Sequence, residues 1–529
     1  MSCIAPVEAE LQQRTQAIRT DWIWVAAIAA AIAAAAILRV WSLPLESLDG
    51  DEIFSYRVAS SHALRALALI RDDLVHPPLY YFLLKACIGA VHNASPLALR
   101  FISLASGITA VALLACFGFM FREMRMVGLV AASLLAANNV HIFYSQEARS
   151  YALYTLLVAC LLTWSWQIER FEPRIEFWVC GGLLMAMLAY THYVGAVYAG
   201  CIVLAVSIGP VSKRAKLRAW LTAGAAAFAF LPWILLELGP ALHHHGVRDN
   251  LSWESAPGLY DLKAIWADYL GIPPVHTATT VVLFIGLIFA GFSVWSLRSE
   301  PTRLRRRVLT TLICTAFIPP VVLFIAGMKP LGMPIFGTRH LLPSIIGYLL
   351  LVADGLIQLS KYFRARAKVL ATGVTALVIL ELIPTAMAMK HAPRRMSYQA
   401  MVAATQGREP LYTTFPYGIA STMNYYENGS SVVTELPSNT SYLPPDFVLI
   451  FRPGIQIEEQ HFAHLLQKGC EDVHDSDFYN GSHAGYAVRV AEIHCTGVSG
   501  PSLALVSTGS ASSGPPSGGT ATEIVAPTR

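Results

Sequence analysis

The feature that most constrains this chain is a series of long apolar runs, the first extending from Ile23 to Val40. An α-helix needs about 20 consecutive apolar residues to cross the hydrocarbon core of a bilayer. These runs therefore predict an all-α polytopic membrane protein of about eleven spans. They lie near residues 23–40, 97–120, 127–143, 150–167, 176–192, 194–210, 219–237, 278–297, 308–327, 341–359 and 368–389.

Composition supports a membrane protein. Hydrophobic residues make up 55% of the chain and charged residues only 14%, whereas about 25% of an ordinary soluble domain is charged. These values exclude a soluble enzyme, a disordered scaffold and a disulfide-dense secreted domain. The run from Ile23 to Val40 is too long for a signal peptide and no small-residue cleavage site follows it, so we predict a retained first span.

The placement of basic residues predicts the orientation. Lys and Arg cluster in every second loop, and basic loops face the cytoplasm. Residues 1–21 are therefore predicted to be cytoplasmic. The segment 77–92 is apolar but short, and counting it as a span would invert every later basic loop, so we predict an interfacial or re-entrant helix there. The predicted extracytoplasmic parts are 44–96, 144–149, 238–277, 328–340 and everything beyond about 390.

The composition divides the chain into a membrane domain at 22–390 and a more polar part after it. Strand-like runs at Phe447 to Phe451 and Tyr486 to Val490 flank a helix-like run from Ile457 to Lys468. We predict a small extracytoplasmic α/β domain at 391–496. The tail at 497–529 is rich in Ser, Gly, Thr and Pro, which predicts disorder.

Two cysteines, Cys470 and Cys495, lie in the predicted external domain. In an oxidising compartment they can form a disulfide, and the alternative is a pair of free thiols. The sequence does not decide between these two states.

Acidic residues follow the first span, in Asp49-Gly50-Asp51-Glu52. Carboxylates beside the bilayer surface can accept a proton or hold a cation, and the alternative is a solvated loop. The segment 76–81, His-Pro-Pro-Leu-Tyr-Tyr, begins the interfacial helix, where tyrosines suit the headgroup region.

Two further charged clusters lie on the predicted external side. The segment 144–151, Tyr-Ser-Gln-Glu-Ala-Arg-Ser-Tyr, places Glu147 and Arg149 between two spans, where a structural ion pair is the alternative to a functional role. Lys329 and Arg339 can grip a phosphate, with interfacial snorkelling as the alternative. Carboxylates that activate a nucleophile, together with cations that hold an anionic leaving group, indicate transfer from a lipid phosphate.

Four motifs in this order and spacing resemble the family 39-like glycosyltransferases, bacterial relatives of the protein O-mannosyltransferases and of the lipid A aminoarabinose transferase. They are Asp51-Glu52, the segment 76–81, the segment 144–149 and the Arg-His-Leu-Leu-Pro segment at 339–343. The resemblance covers about residues 20–390 and implies the C-type glycosyltransferase fold. It also implies an inverting enzyme of the bacterial inner membrane that moves a hexose or pentose from a polyprenyl-phosphate donor to a lipid, glycan or protein acceptor on the periplasmic side.

Site residues follow from the matching positions. The resemblance implies that Asp51 is the general base on the acceptor, with Glu52 as its companion and Glu147 as a second acidic group. It also implies that several residues contact the donor phosphate or sugar. We add Lys329 to them because it is positively charged and lies on the predicted external side of the membrane. The substrate-binding candidates are His76, Tyr80, Arg149, Lys329 and Arg339.

One departure from the relatives, an open question on metal dependence and two alternative functions accompany this prediction. The aminoarabinose transferases have a Glu-Lys-Pro-like stretch where this chain has His76-Pro77-Pro78, which argues against lipid A aminoarabinose chemistry. Some relatives use a divalent cation, and the carboxylates of the site offer oxygen ligands, so metal dependence stays open. The alternatives to a transferase are a polyprenyl-linked sugar flippase or transporter and a non-catalytic anchoring protein. No nucleic-acid partner is predicted.

Overall fold

The structure is a computed structural model with two units. The membrane unit comprises residues 1–45 and 55–390, and the carboxy-terminal unit comprises residues 46–54 and 391–529. The predicted tail at 497–529 lies outside the described residues. The residues that the structure describes are 4–41, 43, 46–243, 256–270, 276–298, 302–329, 332–333, 335–390, 398–414, 419, 422–423, 425–426, 433–437, 443–452, 456–478 and 488–496.

Helices form the membrane unit, and each of the eleven predicted segments is helical. The first helix begins at Ile4, well before the apolar run, because residues 4–21 are rich in strong helix formers such as Ala, Glu, Gln and Leu. The helices up to residue 390 are α1 (Ile4–Val40), α2 (Gly50–Ser60), α3 (Ala63–Asp73), α4 (Leu79–Val91), α5 (Pro96–Ala115), α6 (Phe117–Met120), α7 (Arg125–Ala137), α8 (Asn139–Ser145), α9 (Tyr151–Trp166), α10 (Ile168–Phe171), α11 (Ile175–Thr191), α12 (Val194–Ile208), α13 (Lys213–His243), α14 (Leu259–Asp268), α15 (His276–Trp295), α16 (Arg303–Gly327), α17 (Thr338–Leu341), α18 (Ser344–Ser360) and α19 (Arg366–Lys390).

Several of these helices can cross a membrane, so the protein is a multi-pass membrane protein. Among the described residues, five helices are long and apolar enough, and a sixth span results if the bent pair α7 and α8 is counted as one. Shorter apolar helices occupy the other predicted segments. The total of eleven spans stays a prediction. The five are Trp22–Val40, Pro96–Ala115, Lys213–Glu237, Arg303–Gly327 and Arg366–Met387.

A sharp bend separates α7 from α8. The two helices meet at 67°. Asn138 caps the new helix, because its side chain accepts a hydrogen bond from the His141 amide at 2.9 Å. Arg39 is fully buried and donates to the carbonyls of Leu135 at 3.1 Å and Ala136 at 3.2 Å. These carbonyls belong to the last turn of α7, so the guanidinium satisfies groups that a helix end leaves without partners.

The predicted interfacial segment 77–92 forms α4, which begins directly after Pro77 and Pro78. Its tyrosines do not have the exposure that a headgroup position requires. Tyr80 is 1% exposed and Tyr81 is 2% exposed. The prediction of a headgroup belt was therefore wrong, because these rings pack inside the membrane unit.

The carboxy-terminal unit has the predicted α/β character. Its sheet has the order β2-β1-β3-β5-β4, in which β1 is parallel to β2 and β3 while β5 is antiparallel to β3 and β4. Alternate residues of β3 enter two separate hydrophobic cores, one on each face of the sheet. The elements are α20 (Tyr398–Thr405), β1 (Leu411–Thr413), β2 (Val433–Glu435), β3 (Asp446–Phe451), α21 (Gln456–Gln467), β4 (Cys470–Phe478) and β5 (Val488–Cys495).

A disulfide joins the start of β4 to the end of β5. Cys470 and Cys495 are bonded and are paired residues of the two antiparallel strands. The question that the sequence left open is thus decided for a disulfide in the structure.

Candidate active site

Arg149 is the centre of the candidate site in the membrane unit. It lies in the turn between α8 and α9 and is only 4% exposed. Its Nη2 atom donates to Nδ1 of His76 at 3.0 Å, and its Nη1 atom donates to the hydroxyl of Tyr81 at 3.2 Å. Residues from two separate predicted motifs, at 76–81 and 144–149, therefore meet at one guanidinium.

The backbone of this turn is also held in place. The Ser103 hydroxyl donates to the carbonyl of Arg149 at 2.9 Å, and the hydroxyls of Ser103 and Tyr80 are 3.0 Å apart. The Arg149 amide donates to the carbonyl of Glu147 at 2.7 Å, and the Glu147 side chain is buried. Tyr80 thus positions the turn through Ser103.

Two histidines that the sequence analysis did not select join His76. His192 lies in the connection between α11 and α12, and His340 lies in α17. The ring centroids of His76 and His192 are 5.2 Å apart, as are those of His192 and His340. We call these three residues the histidine cluster. Each member is at most 4% exposed.

Hydrogen bonds determine which nitrogen carries the proton in each ring. The Val194 amide donates to Nδ1 of His192 at 3.2 Å, so the proton of His192 is on Nε2. That N–H donates to Nδ1 of His340 at 3.1 Å, which places the proton of His340 on Nε2 as well. His76 accepts from Arg149 at Nδ1 and is therefore also protonated on Nε2. These are assignments from the hydrogen-bond network.

Aromatic side chains enclose the cluster. The Tyr154 ring stacks on His192 with centroids 4.7 Å apart, and the Tyr154 hydroxyl donates to the His340 carbonyl at 3.2 Å. The Tyr151 ring lies 5.7 Å from His76 and 6.5 Å from His340, measured between centroids. The first turn of α9 therefore supplies a wall of the site.

Electrostatics keep the cluster uncharged. Burial lowers the pKa of His76 well below its ordinary value, and the charge of Arg149 lowers it further. Burial likewise lowers the pKa of His340, with further contributions from His192, Arg339 and Arg149. The positive charge of the site consequently resides on Arg149 and Arg339.

One buried donor points to a ligand. Nε2 of His76 has no hydrogen-bond partner among the described residues, although the atom is buried. Leaving such an N–H without an acceptor costs about 1–3 kcal/mol. An oxygen atom of a bound ligand is the natural acceptor.

Arg339 and Lys329 differ in their surroundings. Arg339 precedes His340 in α17, and its charge lowers the pKa of both His76 and His340. Lys329 is exposed and makes no hydrogen bond or ion pair with any residue that the structure describes. The structure thus brings His76, Tyr80, Glu147, Arg149 and Arg339 together, whereas the role of Lys329 stays a prediction.

Asp268 is a further acidic residue that sequence reasoning missed. It ends α14, and the Thr338 hydroxyl donates to its Oδ2 atom at 2.6 Å. Burial raises the pKa of Asp268 to about 6, although the hydrogen bond from Thr338 opposes this shift. Its position near the start of α17 was not visible in the sequence, because no motif surrounds it.

Asp51 and Glu52 lie in the carboxy-terminal unit, at the start of α2. The Glu52 amide donates to Oδ1 of Asp49 at 2.9 Å, and the Asp49 amide donates to Oε2 of Glu52 at 3.2 Å. This reciprocal pair is a capping box, which gives the buried Glu52 carboxylate a structural role. Asp51 is exposed, and its role as the general base stays a prediction.

The histidine cluster does not fit a metal ion. Each Nδ1 atom accepts a hydrogen bond and each Nε2 atom carries a proton, so no ring offers a lone pair to a cation. Among the described residues, no three His, Cys, Asp or Glu side chains are grouped so that they can hold a metal.

Solved structures reveal the fold to which this arrangement belongs. ArnT from Cupriavidus metallidurans in the apo state matches with a TM-score of 0.54 over 90% of this chain and 98% of that one, at 13% sequence identity. The Archaeoglobus fulgidus oligosaccharyltransferase, solved with Zn and sulfate, matches with a TM-score of 0.52 over 83% of this chain and 69% of that one, at 12% identity. The chain has the C-type glycosyltransferase fold. The fold implied by the four sequence motifs is confirmed.

A second structure of the archaeal enzyme has the same C-type fold. This is AglB from Archaeoglobus fulgidus in complex with an inhibitory peptide and a dolichol-phosphate, with a TM-score of 0.51 and 14% identity over 76% of this chain and 64% of that one. No protein-family model and no curated protein sequence matches the chain. At such low identity, the similarity to these C-type glycosyltransferases concerns the fold.

Proposed function

We propose that the protein is an inverting glycosyltransferase that moves a sugar from a polyprenyl-phosphate donor to an extracytoplasmic acceptor. The observation that carries this proposal is the contact between Arg149 and His76 within a C-type fold. It joins a fixed cation to a buried N–H donor, a combination suited to an anionic leaving group.

The comparison structures support the class of donor. AglB was solved with a dolichol-phosphate, which is a polyprenyl phosphate. In this chain, Arg149 and Arg339 provide the charge that a lipid phosphate requires beside the apolar helices. A polyprenyl chain matches the surrounding membrane.

The chemistry assigns a role to each group. The acceptor oxygen or nitrogen attacks the anomeric carbon of the sugar while the bond from that carbon to the phosphate oxygen breaks. The proton of the acceptor passes to a carboxylate base, a role for which the sequence motif alone proposes Asp51, and the phosphate departs with one additional negative charge. Arg149 and the Nε2–H of His76 stabilise this charge as it develops, because they are already fixed in position, and the positive charge of Arg339 adds to their effect.

Transfer assays test the proposal. Purified protein in lipid is given a set of radiolabelled polyprenyl-phosphate sugars and cell-envelope extract, with and without a chelator. We expect transfer by the wild type and its loss in Asp51→Asn and Arg149→Gln. The chelator arm tests metal dependence, which the sequence leaves open because Asp49, Asp51, Glu52 and Glu147 offer oxygen ligands.

Surface variants provide matched controls for these substitutions. Arg71 and Asp72 form an exposed ion pair in α3, with side chains 45% and 64% exposed. Arg71→Gln and Asp72→Asn make the same chemical changes and should retain transfer, because exposed pairs contribute little. A wild type that consumes none of the donors, or full transfer in Asp51→Asn, would contradict the proposed function. Transport of the donor across vesicles without transfer would favour a flippase.

Membrane topology is proposed along with the activity. The protein is assigned to a bacterial inner membrane, with its carboxy-terminal unit in the periplasm. Protease added to spheroplasts should cleave this unit while the unit stays intact in inverted vesicles. Cleavage in inverted vesicles alone would show that the carboxy-terminal unit faces the cytoplasm.

A further inference from the structure

The three rings of the histidine cluster share one arrangement. In each ring, Nδ1 faces a donor: the guanidinium of Arg149 for His76, the Val194 amide for His192, and the Nε2–H of His192 for His340. A second proton on any ring would have to occupy Nδ1. Protonation would therefore set two donors against each other.

We propose that the histidine cluster binds a phosphodiester oxygen in its neutral form, with the Nε2–H of His76 as a donor, and that His192, whose own Nε2–H is used by His340, is a positioning residue that holds His340 in this form. The proposal rests on the proposed function, since it takes the phosphodiester to be that of the polyprenyl-phosphate sugar. It adds His192 and His340 to the site and excludes proton transfer by the three imidazoles.

The Nε2–H of His76 is the donor to the ligand. Its Nε2 atom is buried and has no hydrogen-bond partner in the part of the chain that the structure describes. Arg149 fixes the ring from the opposite side, so the N–H direction is set before a ligand binds. A phosphodiester oxygen accepts such a hydrogen bond without any change in protonation.

Neutral donors suit the charge of this ligand. A phosphodiester carries one negative charge, and Arg149 and Arg339 already act on the cluster with two positive charges. A protonated imidazole would add a third positive charge in a buried site, which both desolvation and repulsion oppose. Recognition therefore stays constant in the pH range where free histidine titrates.

The neutral form of His340 depends on the His192 ring. His340 accepts from His192, which in turn accepts from a backbone amide. Removal of the His192 N–H leaves Nδ1 of His340 able to take a proton. The charged or titratable groups around the cluster are Arg149, Arg339, Glu147, Tyr81, Tyr144, Tyr151, Tyr154 and, beside α17, Asp268.

Binding measurements test this dependence. The probe is farnesyl methyl phosphate, a phosphodiester whose charge does not change between pH 5.5 and 8.0. Its Kd is measured for the wild type, His192→Leu and His192→Gln, and each variant is expressed as a ratio to the wild type at the same pH. The ratio removes contributions of Asp268, which all three proteins share.

The expected ratio differs between the two variants. In His192→Gln, the side-chain amide keeps an N–H donor near the position of Nε2. The ratio of its Kd to that of the wild type should therefore stay constant with pH. In His192→Leu, no donor faces Nδ1 of His340, and the negative charge of the bound phosphodiester opposes the repulsion from the arginines. The Kd ratio should therefore fall with decreasing pH, by up to about tenfold per pH unit while His340 takes up a proton on binding. A constant ratio in His192→Leu, or the same pH dependence in His192→Gln, would overturn the proposal. The surface variant His461→Leu should match the wild type.

A second measurement tests the proposal without the His192→Leu variant, in case that variant does not fold. Wild-type protein labelled with ¹⁵N-histidine is examined in bilayers by solid-state NMR, and His76, His192 and His340 are assigned with single Gln variants. All three should keep the neutral Nε2–H pattern from pH 5.5 to 8.0. A doubly protonated signal for any of them would overturn the proposal. If the wild type does not bind the probe, phosphodiester binding by the cluster is overturned even where the neutral Nε2–H pattern is kept, and the transfer assay then decides separately whether the proposed function stands.

Discussion

Arg149 and His76 are 73 positions apart in the chain, and the guanidinium of the first donates to Nδ1 of the second at 3.0 Å. The same guanidinium donates to Tyr81, which lies in the helix that follows His76. Because these acceptors occupy separate nitrogens of the planar fork, a lysine ammonium cannot reproduce the arrangement.

Substitution of Arg149 by Lys should consequently lower glycan transfer by about 100-fold or more, since charge remains but geometry is lost. The measurement is the initial transfer rate at saturating donor. Arg71→Lys, at an exposed site, is the matched control. A loss of less than about threefold in Arg149→Lys would show that charge alone is sufficient.

The two adjacent carboxylates at the start of α2 should respond differently to substitution. Glu52→Ala removes the side-chain half of the capping box and should lower the free energy of unfolding by about 1 kcal/mol. Glu52→Gln retains an acceptor at this position and should lose less. Asp51→Asn should leave stability unchanged while abolishing transfer. Thermal unfolding and transfer rates measured on the same samples separate the two effects, and a stable, inactive Glu52→Gln would make Glu52 catalytic instead.

Asp268 predicts a pH dependence of stability. Its folded pKa of about 6 is higher than its ordinary value of 3.8, so the folded state binds more protons than the unfolded state between these two values. Stability from this group is therefore fully present below about pH 4 and is lost as the pH rises to about 6. The loss is on the order of 2–3 kcal/mol.

The variant Asp268→Asn tests this sign. It should remove this part of the pH dependence and be more stable than the wild type at pH 7.5. Thr338 can still donate to the amide oxygen in the variant. Unfolding free energies of both proteins at pH 4.5 and 7.5 provide the measurement. An equal change with pH in both proteins would show that Asp268 does not titrate as the structure indicates.

The disulfide should stabilise the carboxy-terminal unit. Cys470 and Cys495 are separated by 25 positions, and closing a loop of this length corresponds to about 3.5 kcal/mol in the chain-entropy estimate. The double variant Cys470→Ser and Cys495→Ser should lose roughly this amount. Hydrogen exchange of peptides from β3 and β5 in the full-length protein reports it. Exchange rates that equal those of the wild type would mean that the sheet is stable without the bond.

The sequence predicted the helices well because membrane spans depend on length and apolar content, which are local properties. It also selected His76, Glu147, Arg149 and Arg339, since each belongs to a short motif. His192, His340 and Asp268 were not selected as site residues. His192 and Asp268 are single polar residues at helix ends, and their significance depends on packing between distant parts of the chain.

One prediction failed because the sequence could not show what surrounds a side chain. Tyr80 and Tyr81 have the composition of a headgroup belt, yet they contact Ser103 and Arg149 inside the protein. Burial decided their role. The Glu52 carboxylate accepts from the Asp49 amide, and its part in catalysis stays a prediction.

The histidine cluster draws its members from three widely separated parts of the chain. A nascent chain inserted as far as α12 contains His76, Arg149 and His192, while His340 is still to be synthesised. Until α17 arrives, the cluster lacks its last ring. The order of synthesis therefore delays completion of the site until nearly the whole membrane unit has been made, so that a partly synthesised chain lacks the complete histidine cluster.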